Sequence, residues 1–190
     1  MHLRVLEELN ESARTMLGTL SEEELGHAAG IIRGAGKVYV SGAGHTGLIS
    51  RTFTMKLKHV GVDAYTAFDE INPPFADADL LVAVSQSGET KTVVTLSEKA
   101  RLLGGRVLAI TSMSESTLGR SADCVLELPV ASVETEFSAL TVFGRMSGRN
   151  LSGAVFGFAL YALFYAIAAR VADIRGECAE TIDARHTNLE

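Results

Sequence analysis

Short apolar runs alternating with helix-length segments constrain this chain more than any other feature. Val38-Tyr39-Val40, Ala64-Tyr65-Thr66, Leu80-Leu81-Val82-Ala83-Val84, Val107-Leu108-Ala109-Ile110 and Cys124-Val125-Leu126-Glu127-Leu128 read as strands, the last ended by Pro129. Residues 46–60 and 89–103 read as helices between them. Strands joined through helices run parallel, and a parallel sheet needs cover on both faces. The fold class is therefore α/β, with five parallel strands spread over residues 36–129.

Helices flank that core. Leu3, Leu6, Leu9, Ala13, Met16 and Leu17 form one stripe, and Ser21-Glu22-Glu23-Glu24 reads as the capped start of a second helix that Gly34-Ala35-Gly36 ends. Residues 1–33 are thus expected to be a helical pair. Residues 131–150, rich in Ser, Thr and Gly, read as a connection to the helices of 147–190. From 150 to 169 there is no charge, which raises the question of a membrane span. Ala, Gly, Ser and Asn dilute the run, Arg149 and Arg170 bracket it, and it follows an α/β pattern. A helix apolar all round, buried between the sheet and another subunit, fits better than a membrane. The tail from 177 reads as a short polar helix.

At 190 residues the chain suits one domain, 1–190. Its 17 basic against 23 acidic residues give a net charge of −6, with no basic run to neutralise phosphates, so nucleic acid is not an expected partner. Cys124 and Cys178 stand far apart without a C-x-x-C pair or a surrounding His cluster, so neither structural zinc nor a disulfide scaffold is expected. Acidic Glu7 and Glu8 interrupt any leader-like apolar start, and a cytoplasmic setting is the expectation.

Ligands of open parallel sheets collect beyond the carboxyl ends of the strands. Two loops there are distinctive. Ser41-Gly42-Ala43-Gly44-His45-Thr46-Gly47 joins a strand to a helix N-terminus, and its glycines space as G-x-G-x-x-G. That pattern fits an anion site, a plain tight turn, or a dinucleotide site with Asp63 as the ribose-binding acid. Ser85-Gln86-Ser87-Gly88-Glu89-Thr90 places three hydroxyls and a flexible Gly between a buried strand and a helix start. Phosphate is the natural guest, since side-chain O–H and backbone N–H donors converge. Helix capping by Ser85 or Ser87 competes, although one hydroxyl would suffice for that. Lys91 follows Thr90 instead of preceding the hydroxyl, unlike a nucleotide-triphosphatase loop.

These two loops resemble those of the sugar isomerase (SIS) domain family, a flavodoxin-like three-layer α/β/α sandwich that binds phosphosugars. Met55-Lys56-Leu57-Lys58-His59-Val60-Gly61, Glu70 with Pro73, Glu115-Ser116 before Ala122-Asp123, and Arg185-His186-Thr187-Asn188-Leu189 narrow the similarity to the 6-phospho-3-hexuloisomerases over nearly the whole chain. The resemblance implies a cofactor-free and metal-free isomerase of a sugar phosphate, with 3-hexulose 6-phosphate and fructose 6-phosphate interconverted through an enediol. It assigns the phosphate to Ser85, Gln86, Ser87, Gly88 and Thr90, with Gly44 and Thr46 completing the cradle. It also implies a homotetramer in which His186 reaches a neighbouring subunit's site.

The chain departs from the family in three places. His45 stands where Arg is usual, and Thr46 where Ser is usual. Gly157 follows Gly153-Ala154-Val155-Phe156 where the family's G-x-x-F-E pattern carries its base. Isomerisation needs a group that removes a proton beside the carbonyl. Glu70, which matches a family Glu after the second strand, is the leading replacement, with Glu134 and Glu136 behind it. An ordinary solvated carboxylate is the alternative for Glu70. A phosphosugar-binding or sensor protein that keeps the cradle without the base remains the competing function.

Overall fold

A computed structural model describes residues 2–130 and 148–186. In chain order it comprises α1 (His2–Leu17), α2 (Glu22–Arg33), β1 (Val38–Ser41), α3 (Gly44–His59), β2 (Ala64–Thr66), β3 (Leu80–Val84), α4 (Lys91–Leu102), β4 (Arg106–Thr111), α5 (Thr117–Ser121), β5 (Cys124–Glu127), α6 (Gly148–Arg175) and α7 (Ala179–Asp183). The five expected strands form one sheet in the order β2-β1-β3-β4-β5, and every ladder is parallel. The order reverses between β1 and β3, which opens a crevice above their carboxyl ends.

Period-two alternation divides the core. Leu80, Val82 and Val84 of β3 join Val38 and Val40 of β1 on the face covered by α1, α2, α3 and α6. Leu81 and Ala83 point the other way, with Tyr39, toward α4 and α5. All five β3 residues are buried, as a central parallel strand requires. The layers are therefore α/β/α. Asp79, buried beside β3, accepts the N–H groups of Lys37 and Ala76 at 2.8 Å each and pairs with Lys37 Nζ at 2.9 Å, which ties the entrances of β1 and β3 together.

Capping sets the start of α2. Ser21 Oγ accepts the Glu24 N–H, and Glu24 returns a bond to the Ser21 N–H at 2.8 Å, an arrangement worth about 1 kcal/mol. Two other helix starts differ from expectation. α3 begins at Gly44, whose φ of +56° turns the chain sharply out of β1. α4 begins at Lys91, because Glu89 is drawn away toward Thr117. The five-residue α5 is too short to show a period in sequence.

The connection expected at 131–150 lies outside the described residues, except for 148–150, which already belong to α6. Helix α6 is long and apolar enough to cross a membrane. Here it lays Phe156, Leu160, Leu163, Phe164, Ile167 and Val171 into the core, with Phe164 stacked on Phe53 of α3 at 4.2 Å between ring centres. Its opposite side leaves Phe158, Tyr161 and Tyr165 exposed. Beyond it, Glu177 takes two bonds from Arg185 (2.7 and 3.1 Å) and one from Thr181 (2.7 Å). Arg175 and Arg185 also donate to the carbonyls of Gly61 and His59, which fastens α7 to the end of α3. Those bonds, with Arg185's foremost, push the Glu177 carboxyl down to about 2.

Candidate functional site

The reversal in strand order holds a cavity of about 490 Å³. Its polar lining is Thr46 from the first turn of α3, Ser85, Gln86, Ser87 and Thr90 from the loop after β3, and Ser112 after β4. Ala43, Val84, Met113 and Val130 add apolar wall. Five of the seven residues assigned to the cradle therefore come together there. Gly44 and Gly88 do not line the cavity; they shape the loops that do.

The glycines after β1 serve close packing. A Cβ at Gly42 would lie 2.9 Å from Ser50 Oγ, and one at Gly47 would lie 2.7 Å from the Gly42 carbonyl, so only glycines let the first turn of α3 sit on the loop. Asp63 immediately precedes β2, at the amino edge of the sheet, and its carboxylate accepts a hydrogen bond from Tyr65. A ribose-binding acid would sit at the carboxyl edge, so the dinucleotide alternative falls.

The loop after β3 shows why its hydroxyls are not caps. Thr90 is the N-cap residue of α4, yet its side chain makes no capping bond. Its Oγ1 lies 2.8 Å from Ser85 Oγ, and Ser87 Oγ accepts the Glu89 N–H at 3.2 Å. The three hydroxyls converge on the cavity and leave the helix terminus to other partners. Gly88, at φ +65°, presses against Ser116, so that any Cβ there would overlap the Ser116 side chain. The Gly88 carbonyl accepts the Leu118 N–H at 3.0 Å. Glu89 accepts both the N–H and the hydroxyl of Thr117 at 2.8 Å, and these two bonds hold its carboxyl below the usual range.

Ser112 is the lining residue that sequence reasoning missed. Among the described residues its buried Oγ has no hydrogen-bond partner. The signal available was its place immediately after a buried strand, one strand beyond the two loops that stand out.

The proposed catalytic residues lie elsewhere in the chain. Glu70 lines a second cavity of about 280 Å³, between the loop after β2 and α4, with Tyr39, Asn72, Phe75 and Lys99. His186 packs against His59, with ring centres 3.9 Å apart and the planes tilted by 34°. His59 ends α3 and Thr46 nearly begins it, so about 20 Å of helix separates His186 from its own chain's cavity. Burial, then the neighbouring His186 and Lys56, lowers the His59 imidazole below its ordinary value. Glu134 and Glu136 lie outside the described residues. Gly157 is buried in α6, and a Cβ there would meet His45 Cε1 at 2.5 Å and Nδ1 at 3.0 Å.

A parallel sheet of order 2-1-3-4-5 with a hydroxyl-lined cavity at its switch point defines a doubly wound α/β domain. The SIS domain family matches residues 31–146, and the chain belongs to that family. It is 31% identical to a 3-hexulose-6-phosphate isomerase of Bacillus subtilis (strain 168) over 186 residues, which cover 98% of this chain and 95% of that one. A 3-hexulose-6-phosphate isomerase of Mycobacterium gastri is 34% identical over 155 residues, 82% of this chain and 74% of that one. A crystal structure of a Methanococcus jannaschii protein, for which the same molecular function is inferred, superposes with a TM-score of 0.78. It covers 100% of this chain and 99% of that one at 23% identity, and shows the shared fold. These relatives support a phosphosugar isomerase.

Proposed function

We propose that the protein interconverts 3-hexulose 6-phosphate and fructose 6-phosphate. The observation that carries this reading is the convergence of Thr46, Ser85, Ser87 and Thr90 on one cavity, with the hydroxyls of the β3 loop unused as helix caps. Each hydroxyl that donates to the phosphate would contribute about 1.5–3 kcal/mol, as hydrogen bonds to charged groups do. The phosphate end would be fixed there while the ketose carbons extend across the cavity. A proton then leaves C2, the C3 carbonyl becomes the hydroxyl of a 2,3-enediol, and a proton returns to C3 as C2 becomes the carbonyl.

A homo-oligomer, with a tetramer the leading arrangement, belongs to the same proposal. Leu48 and Met55 of α3 and Phe158, Tyr161 and Tyr165 of α6 form an exposed apolar face on adjacent helices, of the kind that a second copy covers. Contact between copies would also give His186 a site to reach, since its own chain's cavity is at the other end of α3.

One observation favours a second reading, a binding or sensing protein: no Asp, Glu, His, Lys or Arg is among the described residues that line the cavity. Incubation with 3-hexulose 6-phosphate in deuterated water, followed by NMR, separates the two. Fructose 6-phosphate carrying deuterium is the expected outcome. Binding without product or exchange would establish the second reading.

A further inference from the structure

We infer that His45 is the proton-transfer residue of this site, working beside a cavity to whose lining the described residues contribute no acid or base. The inference rests on the isomerase reading above. Two ionisable residues interrupt the lining segments: His45, between Ala43 and Thr46, and Glu89, between Ser87 and Thr90. Glu89 is committed to Thr117 through both carboxylate oxygens and is held in its ionised, structural role. His45 has no such commitment. Among the described residues nothing hydrogen-bonds its imidazole, and the side chain is exposed.

Helix α6 sets the position of the ring. Its glycines at 153 and 157 are one turn apart, on the same side of the helix. A Cβ at Gly153 would be 3.6 Å from Oε1 of Gln86, which lines the cavity, and a Cβ at Gly157 would run into the His45 ring and Ile49. The imidazole thus occupies the volume that any side chain at 157 would fill, on the part of α6 that faces the cavity wall. Gly157 gives it a flat seat, with the end of the Ile49 side chain beside it.

The chemistry is balanced without a co-reactant. A neutral imidazole nitrogen takes the proton from C2, the C2–H electron pair forms the C2=C3 bond, and the carbonyl pair moves onto O3. The O2 proton is transferred to O3, the imidazolium returns its proton to C3, and C2=O forms. Both nitrogens of the ring suit this role, one accepting while the other keeps its proton.

His45→Gln and His45→Ala test the assignment, with turnover of 3-hexulose 6-phosphate and deuterium exchange read by NMR and affinity for fructose 6-phosphate read by calorimetry. The expected result is a kcat lower by roughly 10²–10⁴-fold in both variants, affinity within about twofold of wild type, and recovery of turnover in His45→Ala on adding free imidazole. Turnover kept in both variants, or lost in Glu70→Gln instead, would overturn it. So would a parallel loss of affinity and turnover, which would make His45 a phosphate ligand. A wild-type protein that binds but neither turns over nor exchanges would bring down the isomerase reading itself, an outcome distinct from any of these.

Discussion

The Glu89 carboxylate grips Thr117 twice, accepting its backbone N–H and its hydroxyl at 2.8 Å each. A loop that follows β3 is thereby anchored to the first residue of α5, across the two intervening elements α4 and β4. The consequence is that the geometry of the phosphate cradle depends on a contact made outside it. Glu89→Ala should lower both affinity for fructose 6-phosphate and the melting temperature, although the side chain does not line the cavity. Calorimetry and a thermal melt check this, and unchanged affinity would show that the loop holds its shape alone.

Gly88 tightens the same junction. An Ala there would adopt a left-handed φ, which disfavours a side chain by about 1–2 kcal/mol, and would also overlap Ser116. The expected loss exceeds about 2 kcal/mol in denaturant unfolding. Gly26 is the internal control, since a Cβ there meets nothing within 4 Å in α2. Gly26→Ala should stabilise by about 0.5–1 kcal/mol.

Removing one hydroxyl from the cradle gives a direct magnitude. Ser87→Ala should weaken fructose 6-phosphate binding by about 1.5–3 kcal/mol, with the fold intact. Equal affinities in calorimetry would remove Ser87 from the cradle.

Gly157→Ala separates seating from stability. The obstructing atoms belong to the ends of the His45 and Ile49 side chains, which can swing aside, so the melting temperature should change little. Turnover should fall because the imidazole is displaced. A large stability loss with full activity in the remaining folded protein would contradict that.

Acid should loosen the far end of α3. His59 has its imidazole lowered by burial and by His186 and Lys56, so the unfolded chain takes up the proton first as pH drops below about 6.5. Glu177, held down to about 2, contributes above its unfolded value and loses that contribution as pH falls from about 4.5 toward 2. Thermal midpoints should therefore decline from pH 7.5 to 5.5 and again below 4.5. His59→Asn should flatten the first decline and leave the second. Parallel curves for the two proteins would rule His59 out.

Sequence periodicity made the sheet legible, because a buried parallel strand such as Leu80–Val84 is apolar throughout and its neighbours are separated by helix-length segments. Ser21 and Glu24 announced α2 for a similarly local reason. The cradle was visible because Ser85, Gln86, Ser87 and Thr90 are adjacent in the chain. What escaped depends on contacts between distant segments. Glu70 and the Ser85 loop follow β2 and β3, strands of one sheet with only β1 between them, yet they line separate cavities, and no spacing rule conveys that. Nor could sequence show that the His45 ring rests on Gly157, since 111 intervening positions of chain separate the two. Short elements such as α5 leave no periodic trace, although α5 is what Gly88 and Glu89 rest on.

Helix α6 follows every strand in the chain but covers the larger apolar layer, including Val38, Val40, Leu80 and Val82. During synthesis the sheet must therefore leave the ribosome with that side covered only by α1, α2 and α3, and the rest of it stays sticky until residues beyond 170 have been added. The same helix that shuts the core thus sets a time window in which the nascent protein is open to aggregation and to chaperones.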